Sequence, residues 1–460
     1  MFEDLKNKIL GNSEKTKIDN SLIKENDSVA RYFTNILSIS DSAYTCSMGA
    51  RICYGLNVDK EYVKNRSHIS RIVGMGHDSV SAHSNIISLI KVNGESVNGE
   101  ELLNVLPALK FMNIVHLQKV EESSEEDGEP IVENYMLVSG SVRAFRYFLM
   151  EYDAYNTELN SLAVQFISIM QKAIEIEFLD KLIDNLKNIK LNKKEFTYSA
   201  PTEFNEEEIV NEKGEVVDVV LNSDPDKAGS IHFPEIDGER VDIIYADNIV
   251  DLFIKLKSLF HNLSDEVLFK AVCDVSVVTI KIHDYSRAIS QQINRHMSGI
   301  SQESQRYVDY SKAQFIDPLT FDTEKYDVNK VYNVSIDGKD ISGTSQEIGE
   351  KLQSVYPQLK EQGMLSQDAR SFLPFNVKTK AMHTFTLTNY LHFIKVRIGK
   401  AAQPEIRFIA EEMKNVFVDK VLPYEYEEIY DALEINDNNS EEEFTKAYNF
   451  ILSKIDEIGE

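Results

Sequence analysis

A chain of 460 residues, 42% of them hydrophobic, is long enough for two domains with cores of their own. Its 75 acidic against 49 basic residues give a formal charge of -26, which argues against a nucleic-acid-binding surface, because such a surface needs positive charge to displace counterions. No run of about 18 apolar residues occurs, and the N-terminus MFEDLKNKILGNSEKTK lacks an apolar signal-peptide core, so a soluble cytoplasmic protein is expected, with neither a membrane nor a nucleic-acid partner. The three cysteines, Cys46, Cys53 and Cys273, form no CxxC pair, so no disulfide framework and no metal site are expected.

In chain order, residues 1–27 read as an N-terminal extension, and 28–200 as a mixed α and β region. Within it, Lys64 to Met75 has helical spacing, Ser84 to Val92 (SNIISLIKV) is a β-branched strand, and Asn156 to Ile189 carries two helices' worth of amphipathic pattern. The acidic stretch Glu121 to Glu129 reads as a solvated loop. Residues 201–245 read as a linker with a hairpin turning at NEKGE (Asn211 to Glu215). Residues 246–430 form a second mixed region: helix over Val250 to Leu263, strand over Ser276 to Ile282, helix over Tyr285 to Arg295, and a hairpin in VYNVSIDGKDISG (Val331 to Gly343). Residues 431–460 read as a helical tail.

The two mixed regions are weakly alike. SVRAFRYFLMEY (Ser141 to Tyr152) lines up with TLTNYLHFIKVR (Thr386 to Arg397), and each is followed by a helix opening with a similar tetrapeptide, Thr157 to Asn160 against Pro404 to Arg407. That points to an α+β fold of two repeats, each a mostly antiparallel sheet packed with helices.

The segment SRAISQQINRHMSGISQESQRY (Ser286 to Tyr307) holds arginines at 287, 295 and 306, with His296, four serines and four glutamines between the outer two. A helix ending in Arg295 and His296, then a loop at Gly299, would aim these donors into one pocket. Arginine offers a planar charged fork suited to phosphate, and glutamine and serine can read the edge of a base. A few clustered arginines set a local field whatever the net charge. On composition alone, the plainer reading of a polar helix and loop on a solvated face is the favoured one.

Spacing changes that balance, because the segment resembles the signature of the flavin-dependent thymidylate synthases: Arg-His-Arg, seven residues, then Ser, continuing to Arg-Tyr. Arg295 and His296 are present, seven residues follow, and Ser304, Arg306 and Tyr307 complete the pattern, with Gln292 upstream and YSKAQFIDP (Tyr310 to Pro318) downstream. The second arginine is missing: Met297 follows His296 directly. ARSFLPFNVKTK (Ala369 to Lys380), LHFIKVR (Leu391 to Arg397) and AQPEIR (Ala402 to Arg407) resemble further blocks of the family, in order. An upstream Gly-His-x-Ser-Val-x-x-His-like element is intact only in the first region, as GHDSVSAH (Gly76 to His83) after ARICY (Ala50 to Tyr54). The two regions thus look complementary in what each has kept.

The resemblance implies a flavin-dependent enzyme that methylates dUMP to dTMP, with FAD as cofactor and NADPH and methylenetetrahydrofolate as co-substrates. A relative that hydroxymethylates or otherwise alkylates a pyrimidine nucleotide, and a non-catalytic nucleotide- or flavin-binding homologue, are the alternatives. By the same resemblance Arg306 meets the dUMP phosphate, Ser304, Gln292 and Gln305 hold the nucleotide, and Arg407 sits at the uracil edge; Arg407 and Ser304 are the catalytic candidates. His77, Ser79, Arg295, His296, Gln302 and Arg397 are assigned to the flavin. Lys380 adds to the phosphate field or is a surface lysine, and His83 is read as structural, capped by backbone. Cys46 and Cys53 read as core residues, leaving no cysteine in the strongest motif. Since family members are usually homotetramers, a homodimer of this double-length chain is expected to rebuild the same core.

Overall fold

The computed structural model describes residues 31–40, 42–56, 68–69, 71–73, 78–93, 112–121, 130–155, 206–210, 216–221, 236–432 and 438–458. The expected helices of 156–189, the acidic loop 122–129, the hairpin turn 211–215 and His77 lie outside these residues. In chain order the first half carries β1 (Arg31–Ile39), α1 (Ser42–Cys53), a 3-10 turn at Asp78–Ala82, β2 (Ile86–Asn93), β3 (Asn113–Glu121), β4 (Ile131–Gly140) and α2 (Val142–Tyr155). The expected linker hairpin is present as the antiparallel pair β5 (Glu206–Val210) and β6 (Val216–Leu221). The second half continues with β7 (Val241–Ala246), α3 (Ile249–Leu259), α4 (Asp265–Val275), β8 (Val277–Ser286), α5 (Arg287–Ile293) and β9 (Gly299–Gln302). Then come β10 (Ser335–Ile336), β11 (Lys339–Asp340), α6 (Ser345–Gln353), α7 (Val355–Glu361), α8 (Ser366–Ala369) and β12 (Lys378–Thr386). The chain closes on α9 (Leu387–Arg397), α10 (Pro404–Val416), a π turn at Phe417–Val421, α11 (Leu422–Ala432) and α12 (Asn438–Asp456).

The chain divides into two compact units, one from the described parts of Met1–Ile39, Asn85–Ile231 and Leu259–Leu263, the other from those of Ser40–Ser84, His232–Ser258 and Ser264–Glu460. The two mixed regions read from the sequence and the two compact units divide the chain differently. Residues 40–84 of the first mixed region belong to the unit that carries the Arg-His segment.

The first unit is an antiparallel sheet in the order β1-β2-β4-β3. Ile86, Ile87, Leu89 and Ile90 of β2 and Leu137 and Val138 of β4 are buried, as are Phe145 and Phe148 of α2. The second unit has its own antiparallel sheet, β7-β8-β12-β9. Counted along the chain, both sheets run first, second, fourth, third, and in both the fourth strand feeds an aromatic-rich helix, α2 or α9.

The strand-to-helix passages that position the site are set locally. Ser286 ends β8 and caps α5 by accepting from the Ile289 amide; Thr386 ends β12 and caps α9 by accepting from the Asn389 amide. Pro404 opens α10, where a missing N–H costs nothing. Leu387, Tyr390, Leu391, Phe393 and Ile394 of α9 are buried, each contributing roughly 1.5–3 kcal/mol. Asp337 and Gly338, both at positive φ, make the tight turn of the β10–β11 hairpin.

Two expected boundaries move. The helix expected over Tyr285 to Arg295 is confined to 287–293, because Tyr285 and Ser286 pair with Thr379 and Lys378 of β12 and so remain strand. The helix expected to reach Leu263 stops at Leu259. Ser264 caps a new helix one residue later, accepting from the Val267 amide.

At the β7–β8 edge, Asp242 is buried and accepts from Lys281 at 2.6 Å and pairs with His283 at 3.3 Å. The Asp242 hydrogen bond holds the imidazole above its ordinary value of 6.5, outweighing burial, with the nearby Asp284 carboxylate adding to it. For Asp242, burial works against the charge, but the bonds from His283 and Lys281 outweigh it and keep the carboxyl low. The pair's contribution is therefore fully present below the ordinary histidine pKa and fades as pH rises through the raised one; on the acid side it fades only as pH falls through the lowered Asp242 value. Melting temperature from pH 6 to 8 is expected to fall more steeply for the wild type than for His283→Gln. Parallel curves would remove the pair from the pH dependence.

Candidate active site

Strand β9 organises the site. It pairs with β12 from Thr384↔Gly299 to Ala381↔Gln302, which places the loop holding Arg295 and His296 at one end and the Ser304–Tyr307 turn at the other. At the near end, His296 is half-buried, receives the Arg397 Nε at 3.2 Å and meets the Phe393 ring edge-on at 4.9 Å. Burial, then the Arg397 and His392 charges, lower its pKa, so the ring is neutral and acts as acceptor. Arg295 is exposed, and Met297, two residues on, is 80% exposed.

At the far end, Gln302 donates to the Tyr285 hydroxyl at 3.2 Å, and Glu303 accepts from Tyr310 at 2.8 Å while lying 3.5 Å from Lys380. Lys380 is thus an ion-paired lysine rather than a freely solvated one. The Ser304 amide donates to the Cys53 carbonyl at 3.0 Å, and its hydroxyl accepts from the Arg306 amide at 3.3 Å. Gln305 is half-buried; Arg306 is exposed, its guanidinium 5.2 Å from the centre of the Tyr307 ring. Tyr54 stacks obliquely on Tyr307 at 5.3 Å.

Helix α10 meets α5. The Gln292 amide donates to Gln403 at 2.7 Å, and both Glu405 carboxylate oxygens receive Ser286, through its amide and its hydroxyl, each at 2.7 Å. Burial raises the Glu405 pKa despite these bonds. Arg407 lies half-buried on the next turn of α10. The structure thus gathers Gln292 with the AQPEIR block, His296 with Arg397, and Gln302, Ser304, Gln305, Arg306 and Lys380 around the end of β9. Ser79 is exposed in the 3-10 turn.

What sequence reasoning missed is how residues 40–84 enter this unit. His83 is fully buried, with Nδ1 2.9 Å from the Thr384 hydroxyl and Nε2 2.8 Å from the Ser301 hydroxyl. Burial depresses it to about 4, so it is neutral, with one ring nitrogen donating and the other accepting. Its expected structural role is thus filled by hydroxyl partners and not by backbone caps. Its own carbonyl accepts from Thr45 and from the Cys46 thiol. Cys46 is core, as expected, but Cys53 is only partly buried and bonds the Ser301 hydroxyl. The signal for this was the ARICY block, which the sequence places ahead of the GHDSVSAH element.

All three thiols are poor nucleophiles. Burial pushes Cys273 up to about 12 and raises Cys53 as well, while Cys46 is buried and spends its thiol on the His83 carbonyl. Among the described residues no group of three metal-ligating side chains converges, and no helix is long and apolar enough to cross a membrane.

Residues 256–424 match the Thy1 family model, described as thymidylate synthase complementing protein. The flavin-dependent thymidylate synthase of Pyrococcus furiosus is 28% identical over 146 residues, 31% of this chain and 55% of that protein. Its counterpart from Geobacter sulfurreducens is 28% identical over 172 residues (36% and 64%), and that of Clostridium tetani 30% identical over 155 residues (32% and 59%). The chain therefore spans between half and two thirds of the length of these relatives. Over residues 256–424, which hold α5, β9, α9 and the AQPEIR helix, the chain is similar to the flavin-dependent thymidylate synthases.

Proposed function

We propose that this chain reductively methylates dUMP to dTMP, with FAD as cofactor, methylenetetrahydrofolate as carbon donor and NADPH as reductant. The observation that supports it most is convergence: three separated sequence blocks meet through Gln292–Gln403, His296–Arg397 and the β9–β12 pairing. The cysteines add to this reading, since a route that attacks the pyrimidine with a thiolate has no suitable thiol here.

The residues fit a flavin nucleotide. Arg295 and Arg397 offer charge to its phosphates, and exposed Met297 offers an apolar face to its ring. When bound, the flavin supplies the electrons of the reduction. The protein's own part is to hold and to neutralise. Arg306 and Ser304 bind the nucleotide phosphate, with Lys380 adding to the field; Gln292 and Gln305 orient the nucleotide; and Arg407 sits where negative charge develops on the uracil ring. His77 and Ser79 are assigned to the flavin by the same resemblance. The shared strand order of the two sheets supports a duplicated ancestry, and a homodimer of such chains would stand in for the family's tetramer.

A second reading has one observation in its favour: Met297, 80% exposed, stands where the family's second arginine would be. A relative lacking that cation would handle the one-carbon unit differently and release a hydroxymethyl or other alkyl product. The test is the visible spectrum of the purified full-length protein, then mass spectrometry after incubation with NADPH, methylenetetrahydrofolate and dUMP. A yellow protein yielding dTMP is expected. A product heavier by one oxygen selects the second reading, and a protein that takes up no flavin sinks both.

A further inference from the structure

Arg240 stands just before β7 and ahead of residues 256–424, outside the stretch similar to the thymidylate synthases. Its half-buried side chain nevertheless joins two elements on which the site depends. Nη1 donates to the Asp284 carbonyl at 2.7 Å, and the Arg240 carbonyl accepts from the His283 amide at 2.9 Å. Asp284 holds a left-handed φ of 55°, where the register of β8 against β12 shifts, two residues before Ser286 caps α5. A residue other than glycine resists that conformation, so a bond to its carbonyl helps to keep it.

The same residue grips α10. Its guanidinium carbon lies 4.7 Å from the centre of the Phe321 ring and 5.5 Å from that of Phe408, and the two rings are 5.7 Å apart. A planar cation packs on such a pair as an ammonium does not. The Arg240 amide donates to Glu412 at 2.7 Å, and the Val241 amide to the same oxygen at 3.1 Å. Glu405, Phe408 and Glu412, three and four residues apart, share one face of α10. Ser286 holds Glu405 and Arg240 holds the other two, so Arg407 is bracketed by anchors. Turning α10 by about 15° would carry a group about 6 Å from its axis by about 1.5 Å. A misplacement of about 1 Å can cost about 100-fold in rate.

We propose that Arg240 is a positioning residue for the reaction, which sets the rotation of α10 and thereby the place of Arg407 against the nucleotide. The inference rests on the proposed part of Arg407 in the turnover of dUMP. The test is a double-mutant cycle on the full-length, flavin-loaded protein: wild type, Arg240→Met, Arg407→Ala and both together, with kcat, KM for dUMP and a melting curve for each. Methionine keeps an apolar stem against the two rings but loses the charge and the bond to Asp284. Arg240→Lys, alone and with Arg407→Ala, is carried alongside.

Arg240→Met is expected to lower kcat about 10- to 100-fold with KM for dUMP within about twofold, and Arg240→Lys to recover part of that loss. In the Arg407→Ala background the same change should cost less than about twofold, because the group it positions is gone. An equal loss in both backgrounds would mean that Arg240 serves the fold at large, and the inference fails. An unchanged kcat in Arg240→Met overturns it as well, while leaving the proposed function standing. If the wild type does not turn over dUMP, the proposed function fails first and takes the inference with it. Should Arg240→Met not fold, the lysine pair decides: a loss of kcat present with Arg407 and absent without it supports the role, and any other pattern overturns it.

Discussion

For the proposed reaction, replacing Arg407 by alanine is expected to lower kcat by about 100- to 1000-fold, the loss typical when one preorganised donor is removed from developing charge. Arg407 stands one turn into α10, whose start is held against α5 by the Gln403–Gln292 and Glu405–Ser286 bonds. Those anchors remain in the variant, so its melting temperature should stay close to the wild-type value. A charge acting mainly in the transition state lowers kcat more than it raises KM. Steady-state kinetics with dUMP, with Arg407→Lys alongside, separates the outcomes: activity within about twofold of wild type would remove Arg407 from the chemistry.

The second large effect is expected at Gly49, inside α1. A Cβ there would stand 2.4 Å from His83 Cδ2 and 3.1 Å from the Ser301 hydroxyl. The His83 ring cannot turn aside, because hydroxyls hold both nitrogens and nothing around it is solvent. Gly49→Ala must therefore break a buried hydrogen bond or push α1 outward, at a cost of about 2–4 kcal/mol from overpacking and lost bonding together. Because the Cys53 carbonyl at the end of α1 receives the Ser304 amide, substrate binding should weaken as well. A double-mutant cycle checks the cause: in a His83→Ser background the added methyl finds room and Gly49→Ala should be nearly neutral. Equal destabilisation in both backgrounds would mean that the collision is not with the ring.

How much of this could be read from the sequence depends on whether the deciding contact is local. The β-branched run of β8, the Asp337-Gly338 turn and the aromatic helix α9 carry their own periodicity and turn chemistry, and were legible. The end of β8 was not: Ser286 looks like the start of a helix and is one, but it is also the last strand residue, because Lys378 pairs with it from 92 positions away. His83 is the clearest case. Its place at the end of GHDSVSAH marks it in the sequence, but its role is set by Ser301 and Thr384, 218 and 301 residues on.

The presence of α1 and the Asp78–Ala82 turn in the same unit as β9 has a consequence for how the site responds to dilution. Contacts carried on one chain have an effective local concentration of about millimolar, whatever the concentration of the protein. The His83–Ser301 and Cys53–Ser304 contacts therefore stay closed at the nanomolar levels of an assay or a cell. Subunits held together by the same bonds alone would drift apart by mass action. For this part of the site, occupancy is a property of a single folded molecule.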